Sequence, residues 1–415
     1  MIGSPARARP GRVLAFAGFL TAPLATVAPL ALAPLLALAA LVALACGGYR
    51  DLWRLDAVRP LVILLALLGF LGVASAAWSI IPLHSLLEGL RFFAICGGGL
   101  ALVASAAGLD TGEREGVQRM LLRGFLLALA VLAAAGLARL LVDPVVADAA
   151  LGHWLRKFTV FDRGATILAL AAWPAMLVLL GRGRRLASIV LLFATLAVLL
   201  CLRSRSAMLC LLLAMAVWPV ARMLPRAGAT LIGTGLIGLV AILPALPLTV
   251  DAVVKIHEAA PRLDNSAIHR FLIWHFAIDR IAERPLLGWG LDASRAMPGG
   301  SERVQEPRLP ELAAGTLWMP LHPHNAILQW RLELGLPGAA LATLVVLFVL
   351  WRVSAPGTGP PAVQATSLAV VVASLVVAML SYGFWQAWWQ SSLWLIGALM
   401  VAIVPTVRMA GSVRA

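Results

Sequence analysis

About twelve apolar runs of membrane-spanning length divide this chain, and a chain so divided has few folds open to it. A helix crosses a bilayer with about 20 mainly apolar residues, or somewhat fewer when its flanks snorkel. The runs fall at roughly 13 to 27, 29 to 46, 61 to 78, 85 to 107, 119 to 142, 164 to 181, 186 to 202, 206 to 223, 228 to 249, 336 to 352, 364 to 382 and 391 to 408. Pro23 and Pro29 interrupt the stretch that holds the first two. The composition, 61% hydrophobic and 13% charged, excludes an ordinary soluble domain. The pattern predicts an all-α integral membrane protein. Transmembrane helices 1 to 9 occupy residues 1–249, a large loop with short amphipathic helices occupies 250–335, and helices 10 to 12 occupy 336–415.

The formal charge of +14 is almost wholly arginine, since only Lys157 and Lys255 are lysines. Scattered between apolar runs, these charges read as topology and not as a nucleic-acid surface. An N-terminus in the cytoplasm puts Arg7, Arg9 and Arg12, then Arg50, Arg54 and Arg59, then Arg114, on the inner side. Arg182, Arg184 and Arg185, Arg222 and Arg226, Arg352, Arg408 and Arg414 follow on that side. The opposite loops at 79–84 and 383–390 hold no Arg or Lys. The large loop then faces the periplasm. Arg156, Lys157 and Arg163 in one outer loop, and Arg203 with Arg205 in another, break the bias and require a reason. The basic start followed by an apolar run is too long for a signal peptide and leads into a second basic loop, so it reads as membrane structure. Cys46, Cys96, Cys201 and Cys210 have no ligand or pairing partner at suitable spacing.

Polar chemistry concentrates in residues 250–322, which hold seven arginines and several of the histidines. Asn265 or Ser266 reads as the N-cap of an amphipathic helix over about 267–284, ended by Pro285. The stretch HNAILQWRLEL reads as a short helix leading through Gly335, Pro337 and Gly338 into the tenth span. His324, at the mouth of that helix, is a candidate general base or a plain capping residue. His322 with His324 lacks a third metal ligand nearby, so the expectation is no metal site. Arg205, Arg270 near Trp274, Arg91 near Glu88, and Arg163 beside Asp162 are either snorkelling anchors or forks for a phosphate or diphosphate. Trp385, Trp388, Trp389 and Trp394 read as an interfacial belt. No phosphate-binding loop, dinucleotide fingerprint or Asp-x-Asp occurs, which argues against a nucleotide, a metal-held nucleotide sugar or any other cofactor.

The run HRFLIWHFAIDRIAERPLLGWGL, the LRSRSAM turn and HNAILQWRLELGLPG, in this order, resemble the bacterial O-antigen ligase and polymerase superfamily. His-Asn-x9-Gly-x-x-Gly after a large periplasmic loop resembles the ligase branch in particular and falls on His324, Asn325, Gly335 and Gly338. The resemblance implies a multi-span, GT-C-like glycosyltransferase of the inner membrane. Its active site would face the periplasm and transfer polysaccharide from undecaprenyl diphosphate to the lipid A core oligosaccharide, without metal and with inversion. It implies His324 as base, Arg205 and Arg270 as diphosphate clamps, Arg91 and Arg163 as weaker ones, and Asn325, Trp274, Gly335 and Gly338 in support. An O-antigen polymerase or a protein O-oligosaccharyltransferase would use the same donor. A lipid-linked oligosaccharide flippase would need cationic residues on both sides of a cavity, whereas here the unusual charges gather on one side.

Overall fold

The computed structural model describes residues 10–142, 161–260, 263–309 and 316–404. Arg7, Arg9, Arg156, Lys157, Arg408 and Arg414, all used above to read topology, lie outside the described residues. The helices are α1 Pro10–Val27, α2 Leu32–Ala45, α3 Arg59–Ala74, α4 Pro82–Ala107, α5 Thr111–Val142, α6 Asp162–Gly181 and α7 Arg185–Leu202. They continue as α8 Arg205–Met223, α9 Pro225–Ile242, α10 Val250–Ala259, α11 Asn265–Glu283, α12 Ala326–Ser354, α13 Pro361–Leu380 and α14 Ala387–Ile403. Among the described residues ten helices are long and apolar enough to cross a membrane, and Pro29–Ala45 and Ala387–Ile403 are shorter apolar helices. The chain is an all-α multi-span membrane protein.

The division of the first two spans is made by Pro29 and not by Pro23. Pro23 sits within an unbroken α1, while the backbone turns at Ala28 and restarts as a 3-10 turn at Pro29. Proline is tolerated at a helix start because the N–H it lacks has no intrahelical acceptor there.

The centre of the bundle is α6, whose residues Gly164 to Val178 are all buried. Small residues let its neighbours approach. A Cβ at Gly164 would stand 2.7 Å from Thr26 Cα on α1, and one at Gly124 on α5 would stand 2.0 Å from the Phe19 carbonyl oxygen. Without a hydrophobic drive between helices in lipid, such close backbone contact supplies the association. Leu38, Leu41, Phe70, Leu141 and Leu231 stay exposed on the outer wall, where acyl chains are the solvent.

Alternate spanning gives the bundle two ends. At the basic end, buried Arg114 donates to the carbonyls of Ala107, Leu109, Val401, Ala402 and Val404, tying the start of α5 to the end of α14. The other end gathers the starts of α6 and α8, the segment 243–325, and the loop between α13 and α14.

Two sequence expectations are corrected here. Helix α11 begins at Asn265, not near 267, because Asp264 occupies the N-cap and its carbonyl accepts from Ala267 and Ile268. The tryptophans form no interfacial belt: Trp385, Trp388 and Trp389 are buried at 4%, 3% and 0% exposure, with Trp385 edge to face against Phe384 and Trp388 against Tyr382.

Candidate active site

The site is built on a broken helix. Asn325 has extended backbone, and its Oδ1 accepts from Leu328 N at 3.1 Å, so it is the N-cap of α12. From Ala326 to Leu334 only Arg331 is not buried. The helix then breaks at Gly335, with φ 63° and ψ −154°, before running on to Ser354. Only glycine reaches that backbone region without strain. A Cβ at Gly335 would also stand 2.0 Å from the Leu286 carbonyl oxygen, and one at Gly338 2.1 Å from Leu334 Cβ. Around the break Trp289 N donates to Leu332 O, Gly290 N to Glu333 O, and Leu336 N to Leu286 O. Segment 286–290 thus satisfies the backbone groups that a broken helix leaves within a membrane protein.

His324 precedes this helix with a left-handed φ of 54°. A non-glycine residue held there stores strain of the kind found at functional sites. Its Nδ1 lies 2.5 Å from the Ser381 carbonyl oxygen, which can only accept, so Nδ1 carries the proton and Nε2 keeps its lone pair. Burial, with the nearby charges of Arg270 and His269, outweighs that hydrogen bond and pushes the imidazole down to about 4. The ring is therefore neutral at pH 7. His322, 4.2 Å away centroid to centroid, is pushed by burial down to about 3. Its Nε2 accepts from Gly383 N at 3.1 Å and lies 3.3 Å from Gln386 Nε2, so it braces a loop.

That loop, residues 381–386, is the hub of the site. Ser381 O receives His324, Gly383 N and Gln386 meet His322, and Phe384 N donates to Gln329 Oε1. Trp385 O accepts from Arg91 Nη2 at 2.8 Å, and Arg91 also pairs with Glu88 one turn earlier. Just past the loop, Arg163 lies over the Trp388 ring at 5.3 Å. Trp274 on α11 donates from Nε1 to the Pro323 carbonyl at 2.9 Å, fixing the residue before His324.

Arg205 and Arg270 come together around Asp264. Arg205 Nη1 meets Asp264 Oδ2 at 2.6 Å, with Arg205 72% exposed. Arg270 is more enclosed: burial and the charge of Arg205 lower its pKa, and Asp264 opposes them. Arg270 is thus in electrostatic reach of both the Arg205–Asp264 pair and the His324 ring. Arg91 is engaged by Glu88 and Trp385 O, and Arg163 by the Trp388 ring.

The sequence reading passed over Glu333. It is fully buried and accepts from Asp292 N at 2.7 Å, Ser294 Oγ at 2.5 Å, Gln329 Nε2 at 3.1 Å and Trp385 Nε1 at 2.5 Å. Beside it, Asp292 Oδ2 pairs with His84 Nε2 at 2.8 Å and Arg295 Nη2 at 2.6 Å. His84, Glu88 and Asp292 bring three ligating atoms within 4.8 Å of one another, but guanidinium groups already lie on both carboxylates. A carboxylate among apolar residues was the available signal.

Residues 189–343 match the family described as O-antigen ligase. That match supports the O-antigen ligase superfamily for this stretch of the chain. The matched stretch runs from α7 into α12, so it contains Arg205, Arg270, Trp274, His324, Asn325, Gly335 and Gly338 but not the 381–386 hub. The chain is 29% identical over 249 residues to a Rickettsia conorii protein provisionally named a polysaccharide ligase, covering 59% of this chain and 58% of that protein. Similarly named proteins of Rickettsia prowazekii and Rickettsia bellii are 29% and 30% identical, each over 59% of both chains. The chain thus spans about three fifths of the length of the curated relatives it matches.

Proposed function

We propose that this chain is an O-antigen ligase. It moves a polysaccharide from undecaprenyl diphosphate to the lipid A core oligosaccharide at the periplasmic face of the inner membrane. The observation that carries the reading is His324, a neutral imidazole whose Nε2 has no hydrogen-bond partner among the described residues, held within electrostatic reach of Arg270, which in turn lies near the Arg205–Asp264 pair. Nε2 takes the proton of an acceptor hydroxyl as its oxygen attacks the anomeric carbon of the donor sugar. The bond from that carbon to the diphosphate breaks on the opposite face, so the configuration inverts. The negative charge developing on the leaving oxygen falls to the two guanidinium groups. The polymerase and protein-glycosylating readings share this chemistry and differ in acceptor. No step in this scheme uses a metal.

The test is a ligase-null strain carrying the gene, read as long-chain O-antigen on lipid A core in a ladder gel, with the purified protein assayed in parallel. His324→Ala should lose on the order of 10²–10⁴-fold in rate at normal membrane abundance. Arg270→Ala should cost on the order of 10²–10³-fold, with Lys recovering part of it because a point charge lacks the two-donor fork. Excess EDTA should change nothing. Activity that vanishes with EDTA and returns with Mg²⁺ rejects the arginine mechanism and turns attention to His84, Glu88 and Asp292.

A further inference from the structure

The large loop holds a concavity of about 430 Å³ against α11. Its volume is that of a small-molecule site. Phe276 and Trp318 line it with near-parallel rings, 6.3 Å apart at 22°. Trp318 is fixed in place: its backbone N donates to Glu302 O at 3.1 Å, Met319 N donates to Gly300 O at 2.8 Å, and His275 meets the indole edge to face. The Arg280 guanidinium lies over the Phe276 ring at 5.0 Å and pairs through Nη1 with Glu283, which leaves Nη2 over. The Glu302 carboxylate, on the exposed rim, has no hydrogen bond or ion pair among the described residues. Both leftover groups face one point. A Cβ built on Gly299 would stand 4.0 Å from Arg280 Nη2, 4.0 Å from Glu302 Oε1 and 3.7 Å from Phe276 Cε2. Residue 299 is glycine at φ 78°, so no side chain closes the gap between this donor and this acceptor.

A carboxylate in that gap is opposed by Glu302 and an ammonium by Arg280, so the pair selects a neutral group that both accepts and donates, which is a hydroxyl. The aromatic floor selects an apolar face of positive-edged C–H bonds, complementary to the negative face of the rings. A sugar ring offers both, with C–H bonds on one face and hydroxyls around its edge. We propose that this pocket is a subsite for a neutral sugar residue of a glycan chain. The ring lies on Trp318, one hydroxyl accepts from Arg280 Nη2, and a hydroxyl donates to Glu302 Oε1. The assignment rests on the proposed function and deepens it. At 3.6 residues per turn, Phe276 and Arg280 lie roughly 200° and 240° around α11 from Trp274, whose indole reaches Pro323 beside His324. The pocket and His324 are therefore on opposite flanks of α11, about one helix diameter or 10–12 Å apart, with segment 318–324 running from one to the other. One sugar cannot occupy both places, but a chain of several can. Binding so remote from the reacting bond serves to hold and orient the chain.

The experiment measures, by calorimetry on the purified full chain in detergent, the binding of two free glycans from the source bacterium: the core oligosaccharide released from lipid A and the O-antigen polysaccharide released from its carrier. Neither carries a diphosphate, so binding is read without transfer. At least one should bind. Glu302→Ala, at an exposed position, and Trp318→Leu should each weaken that binding on the order of tenfold, while Trp318→Phe, which keeps an aromatic face, should retain most of it. In transfer assays the first two variants should raise KM for the substrate that carries the bound glycan and leave kcat near that of the unaltered chain. The substrate whose KM rises, donor or acceptor, is the one whose chain occupies the pocket. Binding of neither glycan, binding unchanged in Glu302→Ala, or a loss in Trp318→Phe as great as in Trp318→Leu would each overturn the proposal. Transfer that survives His324→Ala would overturn the proposed function instead, and would leave the binding result as it stands.

Discussion

At His324 two demands meet that a free histidine cannot satisfy together: the ring must be neutral at physiological pH, yet fixed in direction. The Ser381 carbonyl fixes the direction by claiming the Nδ1 proton, and burial with Arg270 nearby keeps the charge off. The pH dependence follows with a definite sign. Under the proposed function the active form is the unprotonated one, so rate should be lost as pH falls. The loss centres near the lowered value of about 4, not near the ordinary 6.5. The rate against acceptor concentration should therefore be flat from pH 8 to pH 5.5 as far as His324 is concerned. An acid limb centred at 6.5 would show that the ring is open to water and the enclosed geometry wrong. The two clamp arginines should also separate. Arg205 is largely exposed and already paired with Asp264, whereas Arg270 is enclosed, so substitution of Arg270 should be the more damaging.

The decisive element is the break in α12, because it lets a buried half-helix present His324 at its mouth while the remainder spans the membrane. Gly335→Ala would need a side chain at φ 63° and a Cβ 2.0 Å from a carbonyl oxygen, so it should cost more than about 4 kcal/mol or prevent folding. Gly97→Ala on α4, where a Cβ meets nothing within 4 Å, is the matched control and should leave thermal unfolding in detergent nearly unchanged. Glu333→Gln keeps the shape but exchanges one acceptor oxygen for a donor, facing two of the four groups that now donate to it. It should cost about 1–3 kcal/mol and reduce activity by loosening the 381–386 loop. The sequence displayed His324, Asn325, Gly335 and Gly338 as a spacing, and a turn needing φ > 0 explains the glycine. Glu333 and the loop were hidden for a physical reason. HNAILQWRLEL has the mixed polarity of a surface helix, which masked the one signal available, a carboxylate among apolar residues; the tertiary fold shows that both its faces are covered. The tryptophans suffered the opposite error, since aromatic rings near a span end are usually interfacial, and here loop 381–386 carries them inward.

For the molecule as a whole, hydropathy made the all-α multi-span class legible, because in lipid each crossing must satisfy its own backbone and so declares itself as an apolar run. Among the described residues ten helices reach spanning length, and Pro29–Ala45 and Ala387–Ile403 are shorter than the twelve runs led one to expect. Which end faces the periplasm is a separate question, resting on charge. Arg12, Arg50, Arg54, Arg59, Arg114, Arg182, Arg184, Arg185, Arg222, Arg226 and Arg352 fall at one end of the alternating helices. The opposite end carries Arg203, Arg205 and the arginines of the large loop, several in ion pairs with Asp264, Glu283, Asp292, Glu306 and Asp251. Retention in the cytoplasm acts through Lys and Arg counted over short loops and near span ends, with Asp and Glu contributing little, while long loops cross largely regardless of charge. Under the proposed function the His324 end is therefore expected in the periplasm despite its arginines. In a chain whose four native cysteines are replaced by alanine, Ser301→Cys lies on the exposed surface of the large loop, and Thr111→Cys is exposed at the start of α5 on the basic end. An impermeant thiol reagent should label the first in intact spheroplasts and the second only after lysis. The reverse pattern would invert the topology and remove the candidate site from the compartment in which lipid A core is glycosylated under the proposed function.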